Sequence, residues 1–199
     1  MLSPPLHVLI LAAGSSRRMR GADKLLEQIA GQPLLRQLVG RAVQTGLPVT
    51  VTLPPDRPDR DAALTGLPIA RLTVPDAGSG MATSLRAGLI SLPPEAAVML
   101  LLADLPEITA QDLSQMAAAQ VQTPDLILRA TDAQGGPGHP VIFPPWARAE
   151  LMALTGDQGA HPVLTRHANR LRLIALPGQH ATTDLDTPEA WANWRLGRE

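Results

Sequence analysis

The feature that most constrains the fold is the regular alternation of short apolar runs with segments of helical periodicity. Four runs are almost continuously hydrophobic, which is typical of strands covered on both faces; they are Val8–Leu11, Val49–Val51, Val98–Leu102 and Leu126–Leu128. Weaker strand candidates cover residues 69–74, 140–143 and 171–176, and helical patterns cover residues 33–45, 80–91, 109–120, 147–154 and 187–196. Such alternation forms βαβ units, so the sequence predicts an α/β fold with a mostly parallel central sheet and helices on both faces.

Length and composition narrow the possible classes of protein. A chain of 199 residues fits one domain, at roughly 150 residues per domain, and we expect residues 1–199 to form it. The net charge of −1 gives no basic field for a nucleic-acid backbone, and the absence of cysteine excludes disulfide scaffolds, cysteine-bound zinc and thiol catalysis. Residues 1–13 lack a basic leader, and no stretch reaches the ~20 apolar residues of a membrane span. We therefore expect a cytoplasmic protein that binds neither membrane nor nucleic acid.

The loop after the first predicted strand combines small residues with clustered cations. Gly14 and its small neighbours let backbone amides approach a ligand closely, and Arg17, Arg18, Arg20 and Lys24 follow within a few positions. At the carboxyl edge of a parallel sheet, this combination suits a polyphosphate. The loop matches neither the Walker pattern nor the Gly-x-Gly-x-x-Gly fingerprint. A solvated basic turn is the alternative interpretation.

Two acidic positions are candidates for a metal site. Asp104 comes directly after the apolar run 98–102, and Mg²⁺ on substrate phosphates prefers one or two carboxylates. Asp184 and Asp186, two positions apart, face the same direction if their segment is extended. Each of these acids could instead cap the helix that follows it.

Several segments together resemble the molybdopterin nucleotidyltransferase family, of the molybdenum cofactor cytidylyltransferase type (MobA-like NTP transferases). The first loop, residues 11–19 with 23–26, is similar to the loop typical of the nucleotidyltransferase superfamily to which that family belongs. Further similar segments are Gly80–Leu89, Ala103–Pro106, Gly138–Val141, Gly156–Ala160 and Asp184–Pro188. The resemblance runs from about residue 8 to residue 189 and implies a three-layer, Rossmann-like (GT-A-like) nucleotidyltransferase fold. It departs from the family at Ala103, where glycine is frequent, and at His161, where arginine is common.

The resemblance also implies roles for particular residues. It assigns backbone contacts with the nucleotide to Leu11, Ala12, Ala13, Gly14 and Ser15, neutralisation of the triphosphate to Arg18 and Lys24, and the base and ribose side to Gly80, Met81 and Ser84. It assigns Mg²⁺ binding to Asp104 with Asp186 or Asp184, and acceptor binding to His139, Asp157 and Gly159. Arg18, Lys24 and Asp104 form the implied catalytic set.

The implied reaction transfers a nucleoside monophosphate from a nucleoside triphosphate, CTP being favoured, to the phosphate of molybdopterin, with release of pyrophosphate. Alternatives within the same fold are a guanylyltransferase on the same cofactor and a nucleotidyltransferase for a sugar 1-phosphate or another phosphate acceptor. An alternative from a different class is a nucleotide-binding protein that delivers the cofactor. A transient contact with a molybdoenzyme or a cofactor-insertion protein is a further expectation.

Overall fold

The computed structural model describes residues 4–157 and 159–197. Its strands are β1 (Leu6–Leu11), β2 (Gln28–Ile29), β3 (Gln32–Pro33), β4 (Val49–Leu53), β5 (Ala70–Thr73), β6 (Ala97–Leu102), β7 (Ile127–Thr131), β8 (Pro137–Phe143) and β9 (Leu171–Ala175). Its α-helices are α1 (Leu34–Gln44), α2 (Pro58–Ala63), α3 (Met81–Ser91), α4 (Ala110–Gln122), α5 (Arg148–Met152), α6 (His161–Arg166) and α7 (Pro188–Leu196). The predicted strands and helices are therefore present, with shifted ends.

The central sheet of the described residues has the strand order β5-β4-β1-β6-β8-β7-β9. Strand β1 pairs in parallel with β4 and β6, β4 with β5, and β7 with β9. Strand β8 runs antiparallel to β6 and β7, because a short turn joins it to β7 as a hairpin. The mostly parallel sheet that the sequence predicts is confirmed.

Alternate residues of the central strands supply two hydrophobic cores, one on each face of the sheet. Val8 and Ile10 of β1 pack into the core that also contains residues of α1, α4 and α7. Leu9 and Leu11 pack into the second core, with residues of α3, α5 and α6. Helices therefore cover both faces of the sheet, which explains why its strands are continuously apolar in sequence.

Local capping positions two of the helices next to the candidate site. Thr109 and Asp112 form a capping box at the start of α4, and the Thr187 side chain accepts a hydrogen bond from the Ala190 amide at the start of α7. Helices α2 and α6 were not predicted from the sequence. They have only six residues each, and neither continues a 3₁₀ turn as α5 continues Pro145–Ala147, so no periodic pattern stands out.

One further property concerns the helices alone. No helix in the described part of the chain is long and apolar enough to cross a membrane.

Candidate active site

A cavity of about 580 Å³ opens at the carboxyl ends of β1, β4, β5 and β6. This is the edge at which open α/β sheets bind ligands. Twelve of the predicted site residues line it: Leu11, Ala13, Gly14, Ser15, Arg18, Lys24, Gly80, Met81, Ser84, Asp104, Asp157 and Asp186. Asp184, the alternative second metal ligand, also lines it, and residues that were not assigned from the sequence complete its wall: Leu25, Pro54, Pro55, Asp56, Arg57, Pro75, Ala77, Gly78, Leu102 and Ala103. Residues separated by up to 175 positions thus meet at one sheet edge.

The centre of the site is Lys24, which lies between two carboxylates. Its Nζ donates hydrogen bonds to Asp104 Oδ2 at 2.6 Å and to Asp186 Oδ1 at 2.5 Å. Arg18, which is largely exposed, forms an ion pair with the other oxygen of Asp186. Burial alone lowers the pKa of Lys24, but the two carboxylates outweigh it, and the net pKa is raised. Lys24 is therefore a fixed positive charge at neutral pH.

Asp104 fits a metal-binding role. Its Oδ1 is buried and has no hydrogen-bond partner within the described residues, although an unpaired carboxylate oxygen is costly to bury. Mg²⁺ at phosphate sites is bound by one or two carboxylates, and the substrate phosphates complete its coordination. In keeping with this, the described residues contain no group of three or more His, Asp or Glu side chains arranged to hold a metal alone. The donor set of Asp104 and Asp186 suits an ion that arrives with a triphosphate.

Asp184 also lines the cavity but makes no hydrogen bond to Lys24 in the described structure. Burial raises the pKa of this carboxyl, and the charges of Asp186 and Asp104 raise it further. Asp104, Asp184 and Asp186 thus line the same cavity, and Asp104 and Asp186 accept hydrogen bonds from Lys24. The structure brings all the acids considered in the sequence analysis to one place.

The segment that carries Asp184 and Asp186 is attached to the hairpin β7–β8. The carbonyl of Ala181 accepts a hydrogen bond from the His139 amide at 3.0 Å, and the Thr182 hydroxyl donates to Asp132 Oδ2 at 3.0 Å. At Gly138 the approach is so close that an added Cβ would lie 1.9 Å from the Ala181 carbonyl oxygen. The stretch that leads to the two acids is therefore packed against the hairpin and hydrogen-bonded to it at two points.

The turn at Gly156 packs against the start of α3. Gly80 adopts φ +113°, and a Cβ there would lie 2.6 Å from the Gly156 backbone, so a side chain at position 80 would separate the two segments. The Asp157 carboxylate accepts a hydrogen bond from the Met81 amide at 3.1 Å. Asp157 thus caps α3 from a distant part of the chain while it faces the cavity.

Three predicted site residues do not line the cavity. Ala12 is buried, and its amide and carbonyl are both hydrogen-bonded, to Thr52 and to Arg60. His139 Nδ1 lies 3.5 Å from the Leu100 carbonyl, and burial lowers the pKa of this imidazole. Gly159 lies beside the Met81 sulfur. Gln158 and the Arg17 side chain lie outside the described residues.

Sequence reasoning missed Arg60, which is fully buried beneath the first loop. It forms a bidentate ion pair with Asp23, through Nε to Oδ2 at 2.7 Å and Nη2 to Oδ1 at 2.9 Å. Burial alone would raise the pKa of Asp23, but the hydrogen bonds and charge of Arg60 lower it overall. No local signal marked this residue, because an arginine in a polar segment is usually exposed.

Comparison with known proteins agrees with this geometry. Residues 8–171 match the family described as the MobA-like NTP transferase domain. The chain belongs to this family. The family and the Rossmann-like nucleotidyltransferase fold predicted from the sequence are therefore confirmed.

Relatives of this MobA-like chain include the bifunctional protein GlmU of Xanthomonas campestris pv. campestris (strain 8004). GlmU is 32% identical over 114 residues, which are 56% of this chain and 25% of GlmU. The chain thus matches only about a quarter of the length of that curated relative.

Solved structures match over nearly the whole chain. Rv0371c from Mycobacterium tuberculosis H37Rv is 27% identical, with a TM-score of 0.83 and coverage of 99% of this chain and 100% of that one. A manganese complex of Rv0371C is 26% identical, with a TM-score of 0.78 and coverage of 96% and 97%. The fold is also shared by CMP:2-keto-3-deoxy-manno-octonic acid synthetase complexed with CTP, at 14% identity, 98% coverage of both chains and a TM-score of 0.76.

Proposed function

We propose that this chain is a single-domain, cytoplasmic nucleotidyltransferase that transfers a nucleoside monophosphate, from CTP by preference, to the phosphate of a molybdopterin-type acceptor. The observation that carries the proposal is Lys24, held between Asp104 and Asp186 on the wall of a cavity at the carboxyl edge of the sheet. Cations and acids face the same space there, as a metal-chelated triphosphate requires.

The chemistry needs no general base from the protein. An oxygen of the acceptor phosphate, already anionic at neutral pH, attacks the α-phosphorus of the triphosphate. The bond between the α-phosphorus and the bridging oxygen breaks, and pyrophosphate leaves with that electron pair. The barrier comes from repulsion between the anions and from charge on the leaving group, so positioning and electrostatic stabilisation provide most of the catalysis.

Different residues of the cavity neutralise the phosphates, contact them through the backbone and would hold the metal. Arg18 and Lys24 neutralise the triphosphate and the departing pyrophosphate, and the backbone at Ala13, Gly14 and Ser15 lies against the phosphates. Lys24 can exchange its carboxylate partners for phosphate oxygens because its side chain is not sealed from solvent, being 15% exposed. Asp104 and Asp186 would hold Mg²⁺, which when bound supplies charge neutralisation for the phosphates.

The base and acceptor roles are assigned to two groups of residues, which meet where Asp157 and Gly159 lie against Met81. Gly80, Met81 and Ser84 at the start of α3 form the base and ribose side of the proposal. His139, Asp157 and Gly159 are proposed to serve the acceptor, with His139 acting in its neutral form because burial lowers its pKa. Ala12 contributes through the loop that it begins, since its own backbone groups are used internally.

The test is pyrophosphate release with each of the four nucleoside triphosphates, with Mg²⁺ present or absent, and with a reduced pterin phosphate or, for comparison, a sugar 1-phosphate as acceptor. We expect release that needs both acceptor and Mg²⁺ and is fastest with CTP. Faster release with GTP would replace the cytidylyl assignment by a guanylyl one. Release only with a sugar 1-phosphate would replace the acceptor.

The delivery-protein alternative gives a different result in the same assay. Triphosphate binding without any pyrophosphate release, across all acceptors, would identify a carrier rather than an enzyme. Transient contact with a molybdoenzyme or a cofactor-insertion protein is compatible with either activity and belongs to the proposal.

A further inference from the structure

The buried guanidinium of Arg60 donates hydrogen bonds to three separate residues of the first loop. Besides the bidentate pair with Asp23, its Nη1 donates to the Ala12 carbonyl at 2.6 Å and its Nη2 donates to Ser16 Oγ at 3.0 Å. Ala12 begins the loop, Ser16 lies in its middle and Asp23 ends it. A single side chain from α2 therefore holds the start, middle and end of the loop that lines the cavity.

The contact with Asp23 also fixes the backbone next to Lys24. Asp23 Oδ1 accepts a hydrogen bond from the Leu25 amide at 3.1 Å and caps the short 3₁₀ turn Lys24–Leu26. The residues on both sides of Lys24 are thus tied to the same carboxylate. The direction in which Lys24 leaves the backbone depends on where Arg60 holds Asp23.

The middle of the loop needs such support because its backbone is strained. Ser16 adopts φ +50°, in the left-handed region that non-glycine residues rarely occupy. Strained conformations of this kind persist only where the surroundings over-determine them. The hydrogen bond from Arg60 to Ser16 Oγ provides part of that constraint.

We propose that Arg60 is a positioning residue for triphosphate binding, acting through Asp23, Ser16 and Ala12 without touching substrate. The inference rests on the proposed function, since it gives the loop its ligand. Stability alone does not explain a charged pair here, because well-packed apolar residues often replace a buried ion pair without loss of stability. The guanidinium instead offers several donors in a fixed planar arrangement, which one ammonium group cannot reproduce.

The experiment measures CTP affinity for every variant, and the affinity of wild type for all four nucleoside triphosphates, by calorimetry with Mg²⁺ present, at a temperature where circular dichroism shows every variant folded. The variants are Arg60→Lys, Arg60→Met and the double variant Arg60→Met with Asp23→Leu, which removes both buried charges. Arg148→Met is the matched control, because Arg148 donates to the carbonyls of Leu89, in the last turn of α3, and of Leu92 and Pro93, just after that helix.

We expect Arg60→Lys to weaken CTP binding by about tenfold or more and to raise KM for the triphosphate but not for the acceptor. The control should lower the melting temperature and leave CTP affinity within twofold of wild type. The double variant should melt at a higher temperature than Arg60→Met and still bind CTP weakly, because packing is repaired while the loop is not positioned.

The outcomes separate this inference from the proposed function. CTP affinity within twofold of wild type in the folded Arg60 variants, or full recovery of affinity in the double variant, would overturn the positioning role alone. A wild-type protein that binds none of the four triphosphates would overturn the proposed function and the positioning role together. Weak binding in both Arg60→Lys and the double variant supports the inference even if Arg60→Met alone fails to fold.

Discussion

Asp23 and Lys24 are neighbours in sequence, yet their ion pairs are of opposite kinds. The Asp23 and Arg60 side chains are 8% and 0% exposed, and both oxygens of Asp23 accept hydrogen bonds. Lys24 and Asp104 are 15% and 16% exposed, and one oxygen of Asp104 has no partner within the described residues. The first pair cannot rearrange without leaving a charge buried and unpaired. The second can exchange partners, which is the property expected where a charged ligand binds.

The largest effect should come from removing Asp104, the acid of the Lys24–Asp104 pair. We expect Asp104→Ala to slow turnover by on the order of a thousandfold, as removal of a key electrostatic group does, because the metal would lose one of its carboxylate ligands. The melting temperature should change little, since an unpaired buried oxygen is removed with the carboxylate. Asp61→Ala, at a half-exposed acid on α2, is the control for turnover. Near-normal turnover of folded Asp104→Ala would contradict the metal assignment.

The second-largest effect should come from replacing Lys24, the cation of the same pair. Lys24→Met should slow turnover but raise the affinity for Mn²⁺ in the absence of nucleotide by about tenfold, or ~1.4 kcal/mol. The reason is that Lys24 competes for the same carboxylate oxygens that a metal needs. A titration followed by electron paramagnetic resonance measures free Mn²⁺, with Arg148→Met as control. Unchanged or weaker Mn²⁺ binding by Lys24→Met would show that the carboxylates do not form the metal site.

The buried ion pair of Asp23 and Arg60 should make the free energy of unfolding depend on pH. The pKa of Asp23 is lowered in the folded protein, so its contribution is complete above the unfolded value of 3.8 and is lost as pH falls through the lower folded value. Asp23→Asn should reduce the free energy of unfolding by about 3 kcal/mol at pH 7, because it leaves Arg60 unpaired. The deficit should shrink below pH 4. Urea unfolding of wild type and Asp23→Asn at pH 7, 5 and 3.5 measures this difference in the free energy of unfolding. A difference that stays constant with pH would contradict a stabilising ion pair between Asp23 and Arg60.

The smallest effect belongs to an ion pair that is neither sealed nor in the cavity. Arg20 contacts Glu189 with side chains that are 73% and 58% exposed, and exposed pairs of this kind contribute little to stability. Arg20→Ala should therefore shift the melting temperature by less than about 1 °C. A clear drop in the melting temperature measured by scanning calorimetry would mean that the contact between the first loop and α7 contributes more to stability than its exposure indicates.

The sequence predicted the parts of the molecule that depend on local patterns. Continuous apolar runs identified the central strands, and the small, cationic segment after β1 identified the loop that lines the cavity. The antiparallel direction of β8 was not predictable, because an apolar run does not reveal which way a strand points. Arg60 was missed for a related reason, since its partners lie 37 to 48 positions away and appear only when α2 packs beneath the loop.

The acids illustrate the same limit at the site itself. Sequence reasoning placed Asp104 and the pair Asp184 and Asp186 near one another through resemblance, but could not choose between the last two. The structure distinguishes them, because of these two acids it is Asp186 whose carboxylate accepts a hydrogen bond from Lys24. The difference depends on how the segment after β9 packs in three dimensions, and this segment is hydrogen-bonded to the β7–β8 hairpin through Ala181 and Thr182.

The close approach of Gly138 to Ala181 has a consequence for efforts to re-engineer this chain. Any larger residue at position 138 would push on the Ala181 carbonyl and displace the stretch leading to Asp184 and Asp186. A larger residue at position 138, introduced to retune the acceptor side proposed for His139, would thereby also alter how the acids meet the cation. Under that proposal, acceptor preference and acid placement are coupled, and libraries should diversify both segments together.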